Sequence, residues 1–235
     1  MFTSLVLFVA LAYSTGCKSE AVGPHSSPHY LRKDLSHPSD SGSVLILLHG
    51  YGSNERDLLG LTGMFPKTGT IVSFRAPIEV SQRGFCWFPI QGHDSSTTVD
   101  TTAYYTSGTL LMNWIDSTLI KEGLEGRKVF VAGFSQGAMM SYELVRRFSH
   151  RFQGVIGFSG SAKALQYLSP SSQCGADVLM THGRSDQVLT YASGQEAQMR
   201  LEKCGATVEF FTFEGGHQIP KEAIAKASLW LRARW

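Results

Sequence analysis

Short apolar runs alternate with longer amphipathic stretches from Val44 to the end of the chain, and this alternation constrains the fold more than any other feature. Most of the runs are near-continuously apolar, as expected for parallel strands that are buried on both faces. The pattern predicts strands at residues 44–48, 70–74, 128–132, 154–158, 177–181 and 207–213.

The stretches between these runs have helical spacing. Apolar residues recur every three or four positions in two stretches, one with Tyr104, Gly108, Leu111 and Ile115 and the other with Ala138, Tyr142, Val145 and Phe148. Two more helices are predicted at residues 193–203 and 221–235. Strand–helix alternation of this kind predicts an α/β fold with a mostly parallel, doubly wound sheet flanked by helices. Ligands bind such sheets beyond the carboxyl ends of the strands.

The pentapeptide GFSQG, residues 133–137, lies between a predicted strand and a predicted helix. A G-x-S-x-G sequence is informative in this setting, because a sharp turn there raises the serine above the sheet. We expect a strained backbone at Ser135, with Gly133 and Gly137 avoiding collisions that a Cβ would cause. A helix N-terminus also stabilises developing negative charge. The setting therefore predicts that Ser135 is a nucleophile rather than part of an ordinary tight turn.

A nucleophilic serine needs a base, and the base needs an orienting carboxylate. Asp186 in THGRSDQV and His217 in FFTFEGGHQIP each follow a predicted strand. They occur in the order serine, acid, histidine that is typical of such strand–turn–helix nucleophiles. Asp177 is a poorer acid because it lies at the amino end of its strand, and His182 fits a packed structural role. We predict a triad of Ser135, Asp186 and His217.

Acyl transfer also requires two N–H groups that face the developing oxyanion. The residue after the nucleophile, Gln136, supplies one backbone N–H. The stretch LILLHGYGSNERDLLG supplies a loop after an early strand, and the Tyr51 N–H is the candidate there. Gly50 keeps the backbone tight and Gly52 lets the turn close. The alternative is a plain glycine turn.

Five ordered segments carry a family resemblance: LLHGYGSNERDLLGL, RAPIEVSQRGFCWF, VAGFSQGAMMSYEL, HGRSDQV and EGGHQIP. Over residues 44–235 the chain resembles the phospholipase/carboxylesterase family of α/β-hydrolases, which includes acyl-protein thioesterases and small bacterial carboxylesterases. The resemblance implies an α/β-hydrolase fold and hydrolysis of carboxylic esters, thioesters or lysophospholipids through an acyl-enzyme on Ser135. It implies the same triad and oxyanion donors, a small-molecule acyl ester as substrate, and no metal or organic cofactor.

Two segments depart from the family pattern. Val188 is followed by Leu189 and Thr190 where relatives often carry Val-Pro, and GFCWFPIQGHD has Cys86 and Pro89 where relatives often carry a small residue and Asp. We interpret Cys86 as a small apolar filler. Candidates for an apolar acyl groove are Leu58, Leu59, Leu61, Met64, Phe85, Trp87 and Phe88; core packing is the alternative for about half of them.

Two further functions stay open at this point. One is an exported esterase that removes acyl or feruloyl groups from polysaccharide. The other is a non-catalytic binding module on a hydrolase scaffold, because a fold alone does not give a function. Nucleic acid is disfavoured as a partner, since the net charge is only +2 and no Lys- or Arg-rich run occurs. The oligomeric state is not predicted.

The N-terminal residues predict export. An apolar run at residues 5–13 is too short to span a bilayer but fits a signal-peptide core. It ends in STGC, which resembles a bacterial lipobox with Cys17 as the lipidated residue; an ordinary residue near a cleavage site is the alternative. We divide the chain into a signal peptide at 1–17, a tether with an edge strand near 30–35 within 18–43, and a catalytic domain at 44–235. The protein is expected in the periplasm or anchored to a membrane of a bacterium, or secreted as a soluble protein.

Cys174 and Cys204 lie at equivalent positions, each about three residues before a predicted strand. If those strands are parallel neighbours, both cysteines lie at the amino-end rim of the sheet. An exported protein permits a disulfide between them. Two independent free thiols are the alternative.

Overall fold

A seven-stranded sheet forms the centre of the protein, in a computed structural model that describes residues 27–35, 42–64, 66–91, 98–162 and 174–235. Neighbouring strands run in the order β1, β3, β2, β8, β9, β10, β11. Their bounds are β1 Tyr30–Asp34, β2 Val44–Leu48, β3 Thr70–Phe74, β8 Val129–Phe134, β9 Gly154–Phe158, β10 Asp177–Gly183 and β11 Thr207–Phe213. The strand β1 is antiparallel to β3, and the other six strands are parallel.

The six strands predicted from apolar runs are all present. Four have the predicted bounds, while β8 is displaced by one to two residues and β10 extends two residues further than predicted. The strands β2, β3, β8 and β9 are buried along their whole length, which explains their continuous apolar sequence. The sheet also includes β1 at one edge, where an edge strand was predicted near residues 30–35, so the main sheet begins upstream of the predicted catalytic domain at 44–235.

Within the described residues, four α-helices flank the sheet: α1 Thr101–Lys121, α2 Gln136–Phe148, α3 Tyr191–Lys203 and α4 Lys221–Arg232. Two begin at recognisable caps. The Asp100 carboxylate accepts from the Ala103 N–H at 2.9 Å before α1, and Thr190 caps α3 through the Ser193 N–H. The last helix ends at Arg232, three residues before the predicted end at residue 235.

The helices cover both faces of the sheet. Buried side chains of α1, α2 and α3 pack in one apolar cluster with residues such as Val131 and Met180. The helix α4 and Leu58, at the start of a 3₁₀ helix (Leu58–Met64), pack in a second cluster with Phe130 and Ile156. This arrangement confirms the predicted doubly wound α/β architecture.

Two small antiparallel sheets lie beside the main sheet and were not predicted. One pairs β4 (Ile78–Ser81) with β5 (Gly84–Cys86), and the other pairs β6 (Ile90–Gln91) with β7 (Thr98–Val99). The strand β5 also bonds to the loop after β2: the Gly52 N–H donates to the Phe85 carbonyl at 2.9 Å, and the Phe85 N–H to the Ser53 carbonyl at 2.8 Å. These bonds bring residues 84–88 to the carboxyl edge of the main sheet.

A disulfide joins Cys174 to Cys204, with the Cα atoms 5.4 Å apart. The register explains the pairing, because Asp177 of β10 lies opposite Thr207 of β11 and each cysteine precedes its strand by three residues. The Cys174 N–H also donates to the Cys204 carbonyl at 2.7 Å. Cys86 is a buried free thiol.

The predicted signal peptide and Cys17 lie outside the described residues, as does most of the predicted tether. In the described part of the chain, every helix is too short or too polar to cross a bilayer. No group of three or more His, Cys, Asp or Glu side chains suited to a metal ion occurs among those same residues.

Candidate active site

Ser135 occupies a sharp turn between β8 and α2. Its backbone is left-handed, with φ 54° and ψ −114°, a conformation that costs free energy in a residue with a Cβ. The flanking glycines are required sterically, since a Cβ on Gly133 would overlap the Gly137 carbonyl and a Cβ on Gly137 would overlap the Leu48 carbonyl. The strained turn leaves the Ser135 side chain partly accessible while α2 behind it is buried.

A chain of hydrogen bonds links Ser135, His217 and Asp186. The His217 Nε2 lies 2.9 Å from the Ser135 Oγ, and its Nδ1 lies 2.7 Å from the Asp186 Oδ2. The Asp186 side chain is fully buried and that of His217 is 8% exposed. Since a carboxylate accepts the bond at Nδ1, the neutral tautomer of this ring has Nε2 as the acceptor for the serine hydroxyl. The three residues predicted from strand ends are therefore in direct contact.

Both carboxylate oxygens of Asp186 accept hydrogen bonds. Its Oδ1 accepts from the Val188 and Leu189 N–H groups, each at 2.9 Å, while Oδ2 accepts from His217. A proline at position 189, which the family pattern described above would place there, has no N–H to donate. The departure from the Val-Pro pattern therefore gives this carboxylate an additional hydrogen bond.

His182 lies beside the acid, a contact that the sequence did not predict. Its side chain is fully buried, and its Nε2 lies 2.8 Å from the Leu189 carbonyl and 3.4 Å from the Asp186 Oδ2. A carbonyl oxygen only accepts, so Nε2 carries the proton. Burial lowers the pKa of His182, which keeps the ring neutral. The packed role predicted for this residue thus includes support of the loop that holds Asp186.

The two candidate oxyanion donors lie at the same edge as Ser135. Leu48 of β2 is opposite Gly133 of β8, so the loop that follows β2 lies next to the turn that follows β8. A Cβ on Gly50 would lie 3.5 Å from the Ser135 Cβ, which puts the backbone immediately before Tyr51 close to the serine. Gln136 is the first residue of α2, where N–H groups have no partner inside the helix.

His49 anchors the start of that loop. It is 1% exposed, its Nδ1 lies 2.7 Å from the Gly50 carbonyl, and its Nε2 accepts from the Ala76 N–H at 3.0 Å. Burial lowers the pKa of His49 to about 4, because the charged ring has no water around it. No role was predicted for this side chain, because its partner Ala76 lies in a distant segment of the chain.

The candidates for the acyl groove divide between the core and partly exposed positions, in keeping with the alternative of core packing for about half of them. Trp87 and Phe88 are fully buried and Leu58 is 2% exposed, so these side chains pack in the core. Phe85 is half-buried, with the Arg75 guanidinium 4.6 Å above its ring. Leu59 and Leu61 pack partly buried against the second cluster, and the side chain of Met64 lies outside the described part.

A second serine, Ser159, shares the positive φ of Ser135. Ser159 follows β9 in the position that corresponds to Ser135 after β8, and its φ of 50° is also left-handed. It is fully buried, and its Oγ has no hydrogen-bond partner among the described residues. Without a histidine bonded to it, Ser159 lacks the base that a nucleophile needs.

Comparison with known proteins identifies the family to which the chain is similar. A sequence model of a family described as Phospholipase/Carboxylesterase matches residues 36–234. Acyl-protein thioesterase 1 of Eremothecium gossypii is 30% identical over 168 residues, which cover 68% of this chain and 67% of that protein. A probable carboxylesterase of rice (Oryza sativa subsp. japonica) is 28% identical over 118 residues, covering 48% of this chain; the match spans less than half of the rice protein, 44% of its length.

Solved structures share the fold. The carboxylesterase of Bacillus cereus superposes with a TM-score of 0.80 at 19% sequence identity, over 90% of this chain and 96% of that one. At this identity the likeness concerns the fold alone.

Proposed function

Because the chain belongs to the phospholipase/carboxylesterase family, we propose that it hydrolyses carboxylic esters by acyl transfer to Ser135. The observation that carries the proposal is the continuous hydrogen bonding from Asp186 through His217 to the Ser135 hydroxyl. A strained serine bonded to an oriented imidazole is what nucleophilic catalysis requires, and a binding module would have no need of it.

In the first step the Ser135 Oγ attacks the acyl carbonyl while His217 Nε2 takes the hydroxyl proton. The buried Asp186 carboxylate stabilises the imidazolium that forms. The tetrahedral oxygen receives hydrogen bonds from the Tyr51 and Gln136 backbone N–H groups. His217 then gives its proton to the departing alcohol or thiol, which leaves the acyl group on Ser135.

In the second step a water molecule replaces the alcohol. His217 takes a proton from the water, which attacks the acyl-enzyme carbonyl, and the same two N–H groups hold the second tetrahedral oxygen. Collapse of this intermediate returns the proton to the Ser135 Oγ and releases a carboxylic acid.

Replacing Ser135 with Ala tests the proposal. We expect kcat on p-nitrophenyl esters to fall by about 10⁴-fold or more, because the covalent route is lost. Ser159→Ala is the matched control, since it makes the same change at the other left-handed serine of this edge. Retention of near-wild-type activity by Ser135→Ala would contradict the assignment, and so would equal losses in the two variants.

The class of ester is the finer part of the proposal. Relatives named as carboxylesterase and acyl-protein thioesterase suggest alkyl esters and thioesters as the first substrates to test. A series of p-nitrophenyl esters of increasing acyl length, a thioester series and a lysophospholipid would rank these classes. Faster turnover of feruloyl or acetyl-sugar esters would instead favour the polysaccharide-directed esterase.

We also propose that the protein is exported. The disulfide between Cys174 and Cys204 supports this location, because structural disulfides persist in oxidising compartments. Lipidation of Cys17 would add a membrane tether. Labelling of cells with an alkyne fatty acid should tag the wild-type protein and not a Cys17→Ser variant, and cell fractionation should find the protein outside the cytoplasm. Recovery of unlabelled protein from the cytoplasm would contradict both statements.

A further inference from the structure

The two proposed oxyanion donors, the N–H groups of Tyr51 and Gln136, lie in segments that are far apart in the sequence. Trp87 makes hydrogen bonds to both segments. We propose that Trp87 is a positioning residue that fixes the distance between the Tyr51 and Gln136 N–H groups. The inference rests on the proposed acyl transfer and adds a residue that does not touch the substrate. It also gives Trp87 a role other than the acyl groove in which the sequence placed it.

The first link runs to Gln136 on α2. The Trp87 backbone N–H donates to the Gln136 Oε1 at 2.8 Å, and the Gln136 Nε2 donates to the Phe88 carbonyl at 2.7 Å. The Gln136 side chain is 1% exposed, so both bonds are shielded from water. A two-point amide contact of this kind fixes the rotation of the side chain and, through it, the first residue of the helix.

The second link runs to the loop after β2. The indole N–H of Trp87 donates to the His49 carbonyl at 2.9 Å, two residues before Tyr51. The rings of His49 and Trp87 also pack with their centroids 5.5 Å apart. The loop that carries Tyr51 is therefore bonded to the same residue that orients Gln136.

The Trp87 segment is itself held in place. The hydroxyl of Ser107 on α1 donates to the Trp87 carbonyl, and Phe85 exchanges backbone bonds with Gly52 and Ser53. Trp87 is fully buried in the larger core cluster. A side chain fixed on all sides transmits its position to the groups bonded to it, because packed interiors yield little.

This fixed spacing matters because an oxyanion hole acts by preorganisation. Donors must lie near 3 Å from the oxygen of the transition state, and a misplacement of about 1 Å costs about 100-fold in rate. Loss of the indole bond frees the loop that carries Tyr51 without altering Ser135, His217 or Asp186. Its effect should therefore be on transition-state binding rather than on proton transfer.

The test compares Trp87→Phe with Trp235→Phe. Trp235 also donates its indole N–H to a backbone carbonyl at 2.9 Å, that of Thr68, and also stacks on an aromatic ring, Phe130. The two variants thus lose the same kind of bond, but only one of them loses it at the candidate site. Ester hydrolysis, thermal unfolding and binding of a trifluoromethyl ketone, which forms an oxyanion on the serine, are measured for both.

We expect Trp87→Phe to lower kcat by about 10- to 100-fold while KM stays within about threefold of the wild-type value. The affinity for the trifluoromethyl ketone should fall by a factor similar to that of kcat. The pH–rate profile should keep its wild-type midpoint, and Trp235→Phe should keep wild-type kcat. If Trp87→Phe does not fold, Gln136→Met removes the other link and should show the same loss.

Two results would overturn the role of Trp87. One is a wild-type kcat in folded Trp87→Phe or folded Gln136→Met, and the other is an equal loss of kcat in Trp87→Phe and Trp235→Phe. Absence of Ser135-dependent hydrolysis in the wild type would instead overturn the proposed function. The two failures are therefore distinguishable.

Discussion

Acidification from pH 7 to pH 4 should destabilise the fold, and the buried imidazole of His49 makes a contribution to this loss that can be measured separately. The ring is 1% exposed and accepts the Ala76 N–H at Nε2, so a proton on that nitrogen would displace the hydrogen bond. Its pKa is lowered from 6.5 to about 4 by burial. Between these two values the unfolded chain binds a proton at His49 that the folded chain does not.

The direction and the magnitude of the change in unfolding free energy follow from this difference in proton binding. Because the unfolded state binds more protons, the free energy of unfolding falls as the pH falls below 6.5 and levels off below the folded pKa. At pH 4 the ratio of the two binding polynomials is about 160, which corresponds to a loss of about 3 kcal/mol from His49 alone.

The assay isolates His49 with a variant that cannot titrate. Glutamine at position 49 retains a side-chain acceptor and donor, and urea denaturation of both proteins is measured at pH 7 and pH 4. The difference in unfolding free energy between wild type and His49→Gln should shift by about 3 kcal/mol against the wild type at the lower pH. NMR of the His49 ring should show a neutral imidazole down to near pH 4.

Two results would refute the reasoning. One is a parallel loss of stability in the two proteins over this pH interval. The other is an imidazole of His49 that titrates near pH 6.5 in the folded protein, since a buried ring with the contacts given above cannot keep the pKa of a solvated one.

Three further perturbations test separate parts of the structure. Replacing Cys174 and Cys204 with Ser should lower the free energy of unfolding in urea by about 3–4 kcal/mol, since the bridge spans 30 residues; a loss below about 1 kcal/mol would contradict this. Gly137→Ala should destabilise by about 1–3 kcal/mol through overlap with the Leu48 carbonyl, while Gly60→Ala, which meets nothing within 4 Å, stays within about 0.5 kcal/mol; equal melting curves would exclude the clash. His182→Leu removes the donor to Leu189 and should lower kcat about tenfold by loosening Asp186, with His182→Gln less affected; wild-type kcat in the leucine variant would argue against that support.

The sequence predicted the parts of the site that follow from strand order. Ser135, Asp186 and His217 each follow the end of a parallel strand within about four residues, and parallel strands bring their carboxyl ends to one edge. The pairing of Cys174 with Cys204 was foreseeable by the same logic, although the sequence left two free thiols as an alternative. Both inferences use only local pattern and the rule that neighbouring parallel strands are aligned.

The hydrogen bonds of Trp87 could not be predicted from local sequence pattern and strand alignment. Its partners, His49 and Gln136, are 38 and 49 residues away in the chain. The segment around it forms a short strand that lies outside the main sheet, so no periodicity indicates which side is buried. An aromatic side chain such as that of Trp87 fits a substrate groove as well as a hydrophobic core. Only the folded structure distinguishes these two locations, because burial depends on which distant elements pack around the ring.

The role of Ser135 is tested most directly by mapping the site of covalent modification with a fluorophosphonate. We predict one adduct per chain, which peptide mass spectrometry locates on Ser135, and slower labelling in Asp186→Asn because His217 loses its orienting carboxylate. A wild-type protein that takes up no label under conditions in which it is folded would contradict the account. So would an adduct on Ser159 with Ser135 unmodified.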